Sequence, residues 1–219
     1  MIAEFLISDE ILPLRKSDTG EEALGIMNDF YLRHLPLVED GQLLAIISDE
    51  FLLDVDPMAE ISSYPLPPQP IFVRRSDHLY DVMRISADQQ LTIIPVLDDE
   101  GNYCGLITIE KLLRHFVESG SFKEPGSIVI LEMGRHDYSL AEIARIVEGE
   151  GAIILSSFLQ SHPDSNRIEV TLKLNGRQIG NIIATLERFS YSVKASFNEV
   201  ELQNTLRERY DSLMSYLNV

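Results

Sequence analysis

The sequence predicts an α+β protein: two copies of a βαββα unit, then a βαββαβ unit, then a C-terminal helix. Three observations carry this reading. A stretch of the first half recurs 59 to 60 residues further on. Strand and helix patterns alternate from residue 125 to 198. Apolar residues then recur at three- and four-residue steps over 199–219.

The repeat is specific in order and spacing. Leu14-Arg15-Lys16-Ser17-Asp18 recurs as Val73-Arg74-Arg75-Ser76-Asp77, an offset of 59 from position 14 to position 73, and Leu35-Pro36-Leu37-Val38 recurs as Ile94-Pro95-Val96-Leu97 at the same offset. One extra residue then shifts the register to 60, where Asp40-Gly41 matches Glu100-Gly101 and Ile46 to Leu53 matches Leu106 to Leu113. A turn tolerates such an insertion.

Each copy reads as strand, helix, strand, strand, helix. In the first, Thr19 with Glu22 three residues on is a capping-box pair, and Ala23, Leu24, Met27, Phe30 and Tyr31 follow at helical spacing, predicting a helix over 20–32. Leu35 to Val38 is a strand, Glu39 to Gln42 a hairpin turn, and Leu43 to Ile47 the return. The second copy repeats this with Leu79, Val82 and Met83 on its helix, strands at Thr92–Leu97 and Tyr103–Ile107, and a closing helix from Leu112, Leu113 and Phe116. Between the copies, Pro57 and Tyr64 to Pro70 form a stiff connector that sustains neither helix nor central strand. The repeats span about 1–56 and 57–120.

Glu124-Pro125-Gly126 opens the next domain, 125–198. Ser127 to Met133 is an Ile/Val/Leu-rich run of the kind a buried strand shows. Gly134 to Tyr138 is a polar loop, and Ser139 with Glu142 is a second capping-box pair ahead of a helix bearing Leu140, Ile143, Ala144 and Val147, ended by Gly149 and Gly151. Strands at Ala152–Leu159 and Arg167–Leu174 flank a turn at 161–166. A helix with Ile179, Ile182, Ile183 and Leu186 and a strand at Tyr191–Phe197 complete a ferredoxin-like unit. After Asn198, Leu202, Leu206, Tyr210, Leu213 and Leu217 form one apolar helix face over 199–219, to pack on this chain's own domains or on a partner subunit.

The basic-Ser-Asp entry, the hydrophobic-Pro-hydrophobic strand, the acidic-Gly turn and Gly105-Leu106-Ile107-Thr108 before a helix resemble the CBS motif, with Ala45-Ile46-Ile47-Ser48 a weaker copy. The resemblance covers about residues 1–118. It implies two motifs packed across their sheets, often dimerised, with clefts that bind an adenosine-type nucleotide such as AMP or ATP, or S-adenosylmethionine. The residues that carry over are Pro36, Ser48 and Asp49 in one copy and Pro95, Thr108 and Lys111 in the other. Ligand-binding members commonly place an Asp three residues after the hydroxyl, where it accepts from ribose; here Phe51 and Lys111 stand there. A charge-assisted hydrogen bond contributes about 1.5–3 kcal/mol, so its loss weakens a ribose ligand by roughly one to two orders of magnitude. Lys111 offers a cation to a phosphate instead, and Asp49 a carboxylate two positions early. Ser48 and Thr108 have a second reading as plain helix caps.

The run from Ser139 to Ile154 is similar to the ACT domain, a ferredoxin-like regulatory module that commonly pairs and binds amino acids near the loop before its first helix. That implies the loop Arg135-His136-Asp137 as a ligand contact, although the Pro-Gly of the family is replaced by Tyr138-Ser139. A CBS pair followed by an ACT unit resembles acetoin-utilisation accessory proteins.

Composition bounds the function. Thirty-five acidic against 18 basic residues give a net charge of −17, a field that repels nucleic acid and anionic lipid. The single Cys104 cannot close an internal disulfide and suits a reducing compartment. Met1 to Glu10 does not read as a secretory signal, and no apolar run approaches the roughly 20 residues of a membrane span. A cytoplasmic location follows as the expectation. His34, His78, His115, His136 and His162 stand too far apart for a helical metal site, and no catalytic motif is present. The expected function is therefore non-catalytic: a ligand-sensing homodimer acting on a regulated protein in trans, with no resident cofactor. The alternative is a dimerisation scaffold that has lost ligand binding.

Overall fold

The computed structural model describes residues 1–8, 10–68, 70–161, 165–176, 179–198, 214 and 216. The chain divides into two compact units, Met1–Phe116 and Val117–Val219.

In the first unit, helix α1 (Gly20–Asp29) begins at the expected capping box: the Thr19 hydroxyl accepts from the Glu22 amide at 3.3 Å, and the Glu22 carboxylate accepts from the Thr19 amide at 2.8 Å. It ends earlier than the apolar spacing predicts. Tyr31 adopts a left-handed φ of 55°, and the Leu32 amide reaches back to the Met27 carbonyl at 2.7 Å, a Schellman closure that the aromatic stripe concealed. Strands β1 (His34–Glu39) and β2 (Gln42–Ser48) form an antiparallel hairpin. Asp40 and Gly41, with φ of 50° and 77°, supply the two left-handed residues that such a tight turn needs. The short helix α2 (Asp49–Leu53) follows.

The second copy repeats these details. Strand β3 (Val73–Arg74), helix α3 (Leu79–Asp88), strands β4 (Ile93–Leu97) and β5 (Tyr103–Thr108) and helix α4 (Ile109–Ser119) follow in order. Gln90, at φ 53°, closes α3 as Tyr31 closes α1, and a bulge interrupts the hairpin at Val96/Leu97 as one does at Leu37/Val38. The first strand of each unit is short. Val73 and Arg74 pair parallel with Val96 and Leu97, whereas the first copy makes the single bridge Leu14 to Leu37.

The two copies complete each other's cores. The segment ahead of the first copy lies on the second: the Ala3 and Glu4 amides donate to the Asp77 and Arg75 carbonyls at 2.8 and 3.1 Å, and Ala3 and Leu6 are buried with Val73, Val82, Ile94 and Ile107. The connector does the same for the first copy. Its Ile61 and Ser62 amides donate to the Asp18 and Lys16 carbonyls, and Ile61 is buried against Leu14, Met27, Leu35 and Ile47.

The second unit contains β6 (Ser127–Gly134), α5 (Leu140–Gly149), β7 (Ile154–Ser161), β8 (Arg167–Leu174), α6 (Gly180–Arg188) and β9 (Ser192–Asn198). Its sheet runs β7-β8-β6-β9, all antiparallel, which is the ferredoxin-like order. Strand β6 alternates more strictly than its composition suggests. Val129, Leu131 and Met133 are buried, with Ile143, Val147, Ile182 and Leu186 in the same core, while Ile128 and Ile130 sit half-buried on the other face. Ser139 caps α5 through the Glu142 amide at 3.3 Å, but the Glu142 carboxylate turns to the Tyr191 hydroxyl at 3.0 Å instead of closing the box. The apolar stripe Leu202 to Leu217 lies outside the described residues. No helix among the described residues is long and apolar enough to cross a membrane.

Candidate ligand clefts of the repeated unit

Each hairpin of the first unit delivers its chain into a helix through one hydroxyl residue. The Ser48 hydroxyl accepts from the Phe51 amide at 3.1 Å, and the Thr108 hydroxyl accepts from the Lys111 amide, also at 3.1 Å. Both hydroxyls are helix caps. Pro36 and Pro95 lie buried in β1 and β4, opposite Ile46 and Leu106 in their hairpins.

Around Ser48 the structure gathers residues that sequence spacing does not single out. Arg33 grips Asp49 with Nε to Oδ2 at 2.9 Å and Nη2 to Oδ1 at 3.3 Å, and reaches Glu50 Oε1 at 2.9 Å. This guanidinium holds the Asp49 carboxyl below its ordinary range, and the two carboxylates raise Arg33 in turn. The pairs are exposed, so solvent screens them and they orient these side chains more than they stabilise the fold. The Arg33 amide donates to the Thr92 hydroxyl at 3.0 Å, tying together the residues that lead into β1 and β4. Arg33 and Thr92 are 59 residues apart and thus equivalent positions of the repeat, which is the sequence signal that could have marked them.

His34 sits in the same seam. Its Nδ1 accepts the Thr92 amide at 3.3 Å and lies 3.1 Å from the Thr92 hydroxyl, an arrangement that assigns the neutral ring's proton to Nε2. Burial lowers its pKa from the usual 6.5, with Asp49 opposing. Since the folded state disfavours the imidazolium, its share of stability is complete above pH 6.5 and is lost as pH falls through the lower folded value. Urea midpoints measured from pH 7.5 to 5 are expected to drop on the acid side and to drop less in His34→Gln; identical profiles would contradict this.

Around Thr108 the partners differ. Phe51 of the first copy is half-buried against the first core, whereas Lys111, its counterpart, sends Nζ to the Ile7 carbonyl at 2.6 Å. The Ser8 amide donates to the Leu106 carbonyl at 2.8 Å. Gly105 has a φ of 137°, and a Cβ built there would lie 2.5 Å from Ile7 Cγ2, so the Ile7 side chain fills the space that the missing side chain leaves. Ile7 precedes the matched repeat, and nothing in the sequence marks it.

In the second unit, Arg135–Asp137 form a single 3-10 turn. The Arg135 guanidinium turns to the Ser161 hydroxyl at 3.0 Å and His136 is exposed, so of the three residues Asp137 alone lines the neighbouring cleft of about 580 Å3. Glu132, Glu142, Arg167, Tyr191 and Ser192 also line it. Burial and the Glu142 hydrogen bond push the Tyr191 hydroxyl up to about 12, so it stays a donor. Among the described residues no group of His, Cys, Asp and Glu could hold a metal ion.

Comparison with known proteins agrees with the repeat. The CBS domain family model matches residues 2–50 and 61–118. Over 116 residues, 49% of this chain, the sequence is 27% identical to the magnesium transporter MgtE of Thermus thermophilus, of which the match covers 25%. Over 163 residues, 73% of this chain, it is 19% identical to inosine-5'-monophosphate dehydrogenase of Methanocaldococcus jannaschii, covering 32% of that protein. The chain thus spans well under half the length of these curated relatives. A CBS domain pair/ACT domain protein of Thermotoga maritima aligns at a TM-score of 0.48 and 20% identity, over 54% of this chain and 98% of that one. CBSX2 in complex with AMP aligns at 0.47 and 21% identity, over 53% and 96%. With the family match falling on both copies of the duplicated unit, the first unit of this chain belongs to the CBS domain family as a tandem pair.

Proposed function

We propose that this chain is a non-catalytic regulatory protein whose CBS pair binds an adenosine-type nucleotide or related metabolite and acts on a partner protein in trans in the cytoplasm, as a homodimer. Its functional parts are the pair over 1–120, the ACT-like domain over 125–198 and the tail over 199–219, an arrangement like that of acetoin-utilisation accessory proteins. The observation that carries the reading is the duplicated corner of strand, hydroxyl and helix, at Ser48 with Asp49 and at Thr108 with Lys111. Pro36 and Pro95 shape the strands behind these corners. In the second unit, the turn Arg135-His136-Asp137 is the proposed amino-acid contact, a reading supported by Asp137 lining the neighbouring cleft.

The test is a thermal-shift screen with AMP, ATP, S-adenosylmethionine and amino acids. Ligand at a hundred times its Kd stabilises a folded site by about 2.7 kcal/mol, which for a unit of this size shifts the transition by several degrees. A nucleotide is expected to give that shift. No shift with any ligand at millimolar concentration would overturn the reading.

A specific observation favours a second reading, a dimerising scaffold without a ligand. Phe51 packs into the core, Lys111 is bonded within the chain, and Ile7 fills the space over Gly105. That reading expects no shift together with a stable dimer. Light scattering showing a concentration-independent monomer of 24.8 kDa would remove the dimer from both readings.

A further inference from the structure

We propose that Lys111 is a latch that holds the tip of the N-terminal segment on β5, and that an anionic ligand reaching the Thr108 corner acts by drawing the lysine off that segment. The ligand half rests on the nucleotide reading above; the latch half rests on distances alone.

The segment is rooted in the second core, and Ile11 and Leu14 beyond it are buried in the first, so residues 7 and 8 form a tip held between two anchors. At the root, Ala3 and Leu6 are buried in the second core, and Glu4 pairs with Arg75. At the tip, three contacts fall within two residues: Lys111 Nζ on the Ile7 carbonyl at 2.6 Å, the Ser8 amide on the Leu106 carbonyl at 2.8 Å, and the Ile7 side chain over Gly105. The Thr108 hydroxyl bonds the Lys111 amide at 3.1 Å, so the hydroxyl and the base of the lysine share one helical turn. A phosphate arriving there offers the ammonium a full negative charge in place of a neutral carbonyl, and hydrogen bonds between ions are the shorter and stronger kind. When the lysine leaves Ile7, residues 7 and 8 keep one backbone bond and one apolar contact of their own, between the anchors at Leu6 and Ile11. The first repeat has no such device, because Phe51 stands where Lys111 does. The asymmetry assigns the switching role to the Thr108 corner of the second copy.

The proposal is tested by hydrogen exchange in the full chain, resolved at the Ser8 amide, without ligand and with saturating ATP or adenosine, while calorimetry records binding. ATP is expected to speed Ser8 exchange roughly tenfold or more, as loss of one charge-assisted bond would, and adenosine, which lacks phosphate, to leave it unchanged. Lys111→Met is expected to exchange fast without ligand and to show no further response to ATP. Lys111→Arg keeps a donor and is expected to restore both the protection and the ATP response. A folded Lys111→Met with undiminished Ser8 protection would overturn the latch, and ATP that binds without changing Ser8 exchange would overturn the switch. Absence of ATP binding would overturn the switch, absence of AMP and S-adenosylmethionine binding as well would overturn the nucleotide reading, and the ligand-free comparison of the variants still decides the latch. Should Lys111→Met not fold, the wild-type contrast between ATP and adenosine and the Lys111→Arg variant decide the switch.

Discussion

Replacing Gly105 with alanine is expected to destabilise the first unit by about 2–4 kcal/mol, although one methyl group is all that is added. Two costs combine. A φ of 137° is open to glycine and strained for any residue with a Cβ, and the new carbon would lie 2.5 Å from Ile7 Cγ2. The costs can be separated. Ile7→Ala removes the atom that clashes, so in that background Gly105→Ala should retain only the backbone share, about 1–3 kcal/mol. The first copy has Ala45 at the equivalent position, and its φ is not in the left-handed region. Chemical denaturation of the four proteins of this cycle measures the coupling. Equal losses in both backgrounds would show that Ile7 does not press on this site.

Leu131→Ala is expected to cost the second unit about 2–5 kcal/mol. Leu131 is fully buried on the central strand β6, opposite Val170 of β8 and Val193 of β9, so both neighbouring strands limit how far the core can collapse into the cavity. Ile130, the next residue, faces the other side of the sheet and is half-buried, so Ile130→Ala should cost clearly less. Urea unfolding followed by a signal from the second unit checks both. Equal losses at the two positions would contradict the register.

What the sequence reveals and what it conceals divide by range. The duplicated hairpins, the Asp40-Gly41 turn and the Thr19–Glu22 box are legible because each is settled by residues within a few positions of one another. The end of α1 misleads because Tyr31 continues the apolar stripe while its backbone has already turned left-handed. Glu142 satisfies the spacing of a capping box, yet Tyr191, 49 positions later, claims its carboxylate. The same holds at the candidate clefts. Ser48 and Thr108 can be found from the repeat, but the bond from Lys111 to Ile7 spans 104 positions, and the exchange that puts Leu6 into the second core precedes any recurring motif. Arg33 stands between these cases: its equivalence to Thr92 is readable, whereas its grip on Asp49 depends on how β1 and β2 pair.

Calorimetric titration of the full chain with ATP tests the central claim most directly. The account predicts saturable binding that Lys111→Met weakens roughly tenfold or more, the share of one charge-assisted contact. Absence of binding heat at millimolar ATP, AMP and S-adenosylmethionine, with no accompanying thermal shift, would contradict it.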